Sequence, residues 1–195
     1  FDYVIEHNFN VSYKPFLNTI SKFKHIPFVM HISGTLLDWI EREKPEYIQK
    51  IKNLIKSNRL ELLSSGYYEP LLVSISDQDK IGQIKMMNKK IEKLFNYKPK
   101  GLWLTERVWE PGIIGPVSDS GIKYVLIDDY HLNTVTENKN NLFRTEDQRK
   151  ILDVFVISEK LRYSIPFNTP KKTIDYLINN KSKNLIVFMD DGEKF

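Results

Sequence analysis

GLWLTERVWEP, residues 101–111, is an apolar run that passes at once into polar residues. Such a run is typical of a buried β-strand whose end carries functional side chains. Glu106 and Arg107 stand side by side at this end. Trp103 lies three residues before the glutamate and Trp109 three residues after it. The stretch therefore predicts a carboxylate enclosed by two indole rings.

Short apolar runs alternate with amphipathic segments along the rest of the chain. The apolar pattern predicts strands at 26–33, 59–66, 101–106, 123–130, 152–158 and 184–191, and helices at 44–58, 76–96, 112–121 and 169–180. Buried strands in alternation with helices are typical of a parallel sheet covered by helices, so we expect an α/β fold. The polar, Asn-rich stretch 132–150 is predicted to be a loop.

Polar residues follow nearly every predicted strand. They are His31, Ser33, Ser64, Ser65, Tyr67, Glu69, Thr105, Glu106, Asp128, Asp129, His131, Glu159, Asp190 and Asp191. Active sites lie at the carboxyl ends of the strands both in β/α barrels and in open doubly wound sheets. A barrel brings all these ends to one opening, so the pattern favours a β/α barrel.

Composition excludes several classes of site. The chain has no cysteine, which rules out disulfides and thiolate chemistry. The net charge of +4 comes from closely mixed Lys and Glu, which is typical of solvated helix faces and not of a nucleic-acid surface. No apolar run approaches the roughly 18 residues of a membrane span. We therefore expect neither nucleic acid nor a membrane as a partner. We expect a cytoplasmic location, and self-association stays open.

The residues around Glu106 allow two interpretations. Thr105 could cap a helix whose carboxylates lie on the surface, and Trp109 could simply pack beneath a strand. Exposed tryptophans beside a surface glutamate would be unusual, however, whereas the flat C–H faces of sugar rings stack well on indole. Sugar hydroxyls also need charged, planar partners. The stretch therefore favours a glycosidic site.

Glycoside hydrolysis needs a second carboxylate. The segment MDDGEKF, residues 189–195, supplies Asp190 and Asp191 at the end of another predicted strand, although a solvated turn would have the same composition. Asp129 and His131 are the one close carboxylate and imidazole pair, and hydrogen bonding suits them better than metal binding. The sequence has no Gly-rich phosphate loop, and we expect neither a metal nor another cofactor.

Five segments together resemble glycoside hydrolase family 57, in its 4-α-glucanotransferase and amylase branch. They are SSGYYEP, GLWLTERVWEP, GIKYVLIDDYH, EKLRYSIPF and DDGEKF, in this order across residues 1–195. The resemblance implies a (β/α)7 barrel, a retaining mechanism and an α-1,4-glucan or maltooligosaccharide substrate. The family's histidine-rich first motif and its closing helical regions have no match. Residues 1–195 are therefore expected to be a partial catalytic barrel, truncated at both ends and lacking the first strand.

The resemblance also implies roles for particular residues. Glu106 corresponds to the family nucleophile and Asp191 to the acid/base, with Asp190 as the fallback one position away. Glu69 and Trp103 resemble substrate-site residues of the family. The full set of predicted substrate-binding residues is His31, Tyr67, Tyr68, Glu69, Trp103, Trp109, Asp129, His131, Arg162 and Glu193.

Alternatives to a glucanotransferase remain at this stage. An amylase would use the same site with water as the acceptor. A metal-dependent polysaccharide deacetylase would need a His/Asp metal triad, and the sequence has no HxxxH-type pair. An inactive glucan-binding module would be expected to lack one of the two carboxylates, and both are present.

Overall fold

The computed structural model describes residues 2–133, 136, 139–181 and 183–194. Its strands are β1 (Phe28–Met30), β2 (Leu60–Leu62), β3 (Gly101–Leu102), β4 (Tyr124–Asp128), β5 (Phe143–Asp147) and β6 (Lys150–Ile157). Its helices are α1 (Asp2–Asn8), α2 (Lys14–Ile20), α3 (Gly34–Glu43), α4 (Pro45–Lys56), α5 (Asp77–Phe95), α6 (Ile114–Asp119), α7 (Glu159–Ser164) and α8 (Pro170–Asn179). None of the described helices is long and apolar enough to cross a membrane.

The strands form a parallel arrangement in the order β1, β2, β3, β4, β6. β1 pairs with β2, and β3, β4 and β6 pair with one another, all in parallel. Ser64 joins the two groups, because its N–H donates to Gly101 O at 2.9 Å and its carbonyl accepts from Trp103 N at 2.8 Å. Beyond β6, Val187 makes a parallel bridge to Ile157. The predicted α/β fold is confirmed, whereas the described residues form no closed barrel.

The two faces of the sheet have different neighbours because successive side chains of a strand point to opposite faces. Val125, Ile127, Val154 and Val156 pack with the buried side chains of α5 and α6. Leu126 and Ile157 lie on the other face with Leu63 and Trp103. Trp103 therefore points away from the helix layer that contains α5 and α6, and the candidate site lies on this inner face.

A separate apolar cluster holds the first helices against β1 and β2. Phe9, Trp39, Tyr47, Ile51 and Met87 are among its fully or nearly fully buried members. Side-chain caps begin α5 at its predicted start and α3 where no helix was predicted. Ser33 accepts from Leu36 N at 3.4 Å at the start of α3, and Ser76 accepts from Asp79 N at 3.2 Å at the start of α5.

The prediction of a loop over 132–150 is wrong for the second half of this stretch. Residues Phe143–Asp147 form β5, which pairs with β6 in an antiparallel hairpin. Gln148 and Arg149 both have positive φ, as a tight hairpin turn requires, but neither is one of the glycines or asparagines that normally indicate such a turn. Thr134, Val135, Glu137 and Asn138 of the predicted loop lie outside the described residues.

The predicted strand 184–191 is reduced to the bridge at Val187. Ser158 N donates to Val187 O at 2.9 Å, so the segment does follow β6 in parallel. The predicted strand 101–106 also ends early, because β3 stops at Leu102 and a 3-10 turn spans Thr105–Arg107.

Gly101 provides a test of how β3 packs on β4. A Cβ added at this residue would lie 2.2 Å from Cζ of Tyr124, whose hydroxyl donates to Glu61 at 2.8 Å. We expect Gly101→Ala to lower the free energy of unfolding by about 1–3 kcal/mol, because the half-buried ring of Tyr124 must shift. Urea unfolding measures this. Gly112→Ala is the control, since no atom lies within 4 Å of its added Cβ, and an equal loss in both variants would contradict the packing.

Candidate active site

A cavity of about 710 Å³ lies at the carboxyl ends of the strands. Its polar lining comes from residues distant in sequence, namely Ser12, Tyr13, His31, Ser33, Glu69, Thr105, Glu106, Arg107, Asp190, Asp191 and Glu193. Trp103 contributes an aromatic wall. The structure thus brings together the polar ends that follow β1, β2 and β3 with the segment that follows Val187.

Glu106 reaches the cavity through an unusual backbone turn. Its φ and ψ are 54° and 15°, and Arg107 follows with a φ of 57°. Left-handed conformations cost about 1–3 kcal/mol at residues other than glycine and cluster at functional sites. The turn is closed by the Arg107 N–H, which donates to Leu104 O at 2.8 Å. Thr105, Glu106 and Arg107 consequently all line the cavity.

Carboxylates are concentrated around Glu69. Burial raises the pKa of Glu69, and the negative charges of Glu193, Glu106 and Asp191 raise it further. All four carboxylates line the same cavity, which is where the sequence places the nucleophile and the acid/base. Their mutual repulsion is the electrostatic signature of a site that handles protons or polar ligands.

His31 lines the cavity with an uncharged imidazole. Burial lowers the pKa of its imidazole to about 3. The ring stacks near Trp103, with centroids 6.1 Å apart and planes 22° apart, and Nε2 lies 3.7 Å from Oε1 of Glu69. Nε2 is buried and has no hydrogen-bond partner among the residues that the structure describes. His31 can therefore offer a hydrogen bond to a ligand without adding a charge.

Asp190 and Asp191 have different environments. The side chain of Asp190 is fully buried, and its Oδ1 accepts from Lys194 Nζ at 2.6 Å and from Arg162 Nε at 3.5 Å. The side chain of Asp191 is 48% exposed, and its nearest cations are Lys194 at 3.6 Å and Arg107 at 4.0 Å. Asp191 is thus the aspartate that a substrate can reach, which favours it over the fallback Asp190.

Arg162 belongs to a buried chain of charges. Its Nη1 donates to both carboxylate oxygens of Asp128, at 3.0 and 2.9 Å. Arg107 Nε donates to the same carboxylate at 3.1 Å, and its guanidinium lies 5.6 Å from the centre of the Trp103 ring. All three charged side chains are at most 15% exposed. Arg162 was predicted to bind substrate, and the structure instead places it between Asp128 and Asp190.

Of the four predicted aromatic rings, Trp103 is the one found at the cavity. Tyr67 donates to Asp38 at 2.7 Å and lies over Gly34, where an added Cβ would be 2.6 Å from the ring. Tyr68 is exposed and borders a separate depression with Tyr67. Trp109 packs against the apolar cluster on the helix side. The prediction that two of these rings share the cavity of Glu106 is therefore wrong.

Asp129 and His131 lie beside the cavity and not in its lining. Asp129 accepts a hydrogen bond from Glu159 N at 3.4 Å, which links the end of β4 to the start of α7. His131 Nε2 lies 3.3 Å from the carbonyl oxygen of Arg107 and supports the turn that carries Glu106. Among the residues that the structure describes, no group of three or more His, Asp or Glu side chains is arranged to hold a metal ion.

Several residues of the site were not among the predicted catalytic or substrate-binding residues. They are Ser12, Tyr13, Arg107, Asp128 and Lys194. Arg107 and Lys194 stand within recognised motifs, and Asp128 ends a predicted strand, so proximity to a motif could have indicated these three. Ser12 and Tyr13 contact residues 180 positions away, which no local pattern predicts.

A parallel α/β fold with a strand-end cavity of carboxylates, an imidazole and an indole agrees with the class of site that the sequence predicts, a sugar-binding site in an α/β protein. The model of glycosyl hydrolase family 57 matches residues 5–195. The chain belongs to this family.

Relatives carry two different names. The chain is 46% identical over 202 residues to Alpha-amylase 1 of Dictyoglomus thermophilum and 43% identical over 201 residues to a 4-alpha-glucanotransferase of Thermococcus litoralis. The crystal structure of the latter glucanotransferase superposes with a TM-score of 0.93 at 42% identity. These comparisons cover 100% of the chain but only 29%, 30% and 31% of the respective relative, so the chain spans less than a third of their length.

Asp128 should be essential for the stability of this region. Asp128→Asn removes the negative charge that two buried guanidinium groups share, and we expect a loss of about 3 kcal/mol in the free energy of unfolding. Asp153→Asn is the matched control, because its partner Arg144 is 67% exposed and water screens the pair. Urea unfolding compares the two variants. Equal losses in the two variants would show that the ion pairs of Asp128 stabilise the protein no more than the exposed pair of Asp153 and Arg144.

His31 should make the stability depend on pH. The pKa of its imidazole is about 3 in the folded protein against an ordinary 6.5. The unfolded chain therefore binds the proton first, and stability falls as the pH drops from about 6.5 towards 3. We expect the urea midpoint to fall further between pH 7 and pH 4 in the wild type than in His31→Gln. The same fall in both proteins would contradict a neutral, buried His31.

Proposed function

We propose that the protein containing this chain is a retaining α-glucan-active enzyme, a 4-α-glucanotransferase that transfers α-1,4-glucan segments through a covalent glycosyl-enzyme. The observation that carries the proposal is the presence of Glu106 and Asp191 in one cavity with Trp103. We also propose that the strands belong to a (β/α)7 barrel, for which the order β1, β2, β3, β4, β6 and the bridge at Val187 give support.

Glu106 would act as the nucleophile. Its carboxylate oxygen attacks the anomeric carbon, the glycosidic C–O bond breaks, and Asp191 gives its proton to the departing oxygen. In the second step Asp191 takes a proton from the acceptor hydroxyl. The acceptor oxygen then attacks the same carbon and releases Glu106 as a carboxylate.

The remaining cavity residues would bind the sugar. Trp103 offers an indole face, and Glu69 and Glu193 offer carboxylates to sugar hydroxyls. The unpaired Nε2 of His31 is available for one further hydrogen bond. The positive charge of Arg107, 4.0 Å from Asp191, opposes part of the repulsion among the carboxylates.

The choice of acceptor separates two activities on one site. A glucan 4-hydroxyl as acceptor makes the enzyme a transferase, and water makes it an amylase. Relatives bear both names, so the amylase is kept as the second candidate. Chromatography of the products from a single maltooligosaccharide distinguishes them, because a transferase yields longer and shorter chains without new reducing ends.

Cytoplasmic location stays a prediction from the sequence, and self-association stays open.

The roles of the two carboxylates can be separated chemically. Glu106→Gln and Asp191→Asn should each lower turnover by several orders of magnitude, because each removes a group used in both half-reactions. With Glu106→Gly, added azide should attack the opposite face of the sugar and give an inverted glycosyl azide. With Asp191→Gly, azide should intercept the covalent intermediate and give a retained product. Nuclear magnetic resonance of the glycosyl azide reads the configuration.

Asp190→Asn serves as the comparison for the choice of acid/base. Because Asp190 is buried, its loss should affect stability and give no azide product of either configuration. Acid/base behaviour in Asp190→Asn with an active Asp191→Asn would reverse that assignment. Normal activity in Glu106→Gln would overturn the proposed function itself.

A further inference from the structure

We propose that Ser12 and Tyr13 are positioning residues that hold the residues after Asp191 in its turn, while Arg162 and Lys194 hold Asp190 before it. The inference rests on the proposed function, in which Asp191 transfers the proton. It assigns a role in that step to a segment near the start of the chain, more than 170 residues away from the turn.

The segment that carries these residues has an uncommon backbone. Phe9–Tyr13 forms one turn of π-helix between α1 and α2. Such turns are rare, appear mostly as local bulges and occur frequently at functional sites. Phe9 anchors this turn, since it is 1% exposed and its ring centroid lies 5.0 Å from that of Tyr47 and 5.6 Å from that of Trp39. Ser12 and Tyr13 then line the cavity.

Both side chains form hydrogen bonds with the residues that follow Asp191. The hydroxyl of Ser12 donates to the carbonyl oxygen of Gly192, and the hydroxyl of Tyr13 donates to Oε1 of Glu193. The ring of Tyr13 also lies against Gly192, where an added Cβ would be 3.7 Å from Cδ1. The carbonyl of Tyr13 is itself held by the hydroxyl of Tyr47 at 3.1 Å.

The other side of the turn is fixed by charge. Asp190 is bound by Arg162 and Lys194, and Lys194 N donates to Asp191 O at 3.3 Å. The side chain of Asp191 is held only loosely, because its ion pairs within the described residues measure 3.6 and 4.0 Å. The direction of the Asp191 side chain is therefore set by the residues before and after it in the turn. Ser12 and Tyr13 secure one side, and Arg162 and Lys194 secure the other.

The environment of Tyr13 favours the protonated phenol. Burial raises the pKa of the phenol, and the hydrogen bond to Glu193 raises it further. The hydroxyl therefore acts as a donor to Glu193.

The test compares two donors in Tyr13→Phe and Ser12→Ala, using kcat/KM because it reports only the first half-reaction. A maltooligosaccharide needs the proton of Asp191 to release its leaving group, whereas maltosyl fluoride does not. If the turn is displaced, kcat/KM for the maltooligosaccharide should fall about 10- to 100-fold, since a misplacement near 1 Å costs about that much. The value for the fluoride should change by less than about 3-fold. Tyr3→Phe, at an exposed position of α1, is the matched control and should retain both values.

An equal fall for both donors, or no fall for either, would overturn the proposal, because a structural or sugar-binding role does not distinguish leaving groups. Ser12→Ala keeps the proposal testable if Tyr13→Phe does not fold. Hydrogen exchange of the 192–194 amides gives a readout besides activity, and faster exchange is expected in both variants. If Glu106→Gln proves active, the proposed function fails, and unchanged exchange would then separately refute the positioning role.

Discussion

The carboxylate of Asp128 between two guanidinium groups is the interaction on which the arrangement of the site depends. Asp128 ends β4, in the middle of the parallel strands, while Arg107 follows β3 and Arg162 belongs to α7, which follows β6. One side chain thus ties together the ends of three neighbouring strands, with contacts of 2.9 to 3.1 Å. Breaking a buried ion pair is costly because the remaining charge has little water around it, so these three ends keep one relative position.

The same chain of charges continues to the aspartates. Arg162 binds Asp190, and Lys194 joins Asp190 to Asp191, so that positive and negative groups alternate along this network. Around Glu69, by contrast, the neighbouring charges are carboxylates. Grouped carboxylates repel one another and reduce stability. The alternating network supplies the rigidity that lets a protein tolerate such a group at a functional site.

The sequence predicted what local patterns determine. Among the described residues, the apolar periods located five of the six strands and four of the eight α-helices, and the motif residues Glu106, Glu69 and Asp191 do share a cavity. The hairpin of β5 was missed because its turn, Gln148 and Arg149, uses residues that do not favour positive φ. Tyr67 was misplaced because the direction of its ring depends on close contact with Gly34, which belongs to another element. Contacts across the whole chain, such as Tyr13 with Glu193, leave no trace in any short window.

Backbone strain at Glu106 has a geometric reason. In an extended strand successive side chains point to opposite faces, and β3 follows this rule, with Leu102 in the helix-side cluster and Trp103 on the inner face. A continued strand would send either Glu106 or Arg107 into the helix layer. The left-handed conformations at both residues break the alternation, and Thr105, Glu106 and Arg107 all reach the cavity. A carboxylate and the guanidinium linked to Asp128 can then stand next to each other in sequence and act in one site, which justifies the energetic cost of the turn.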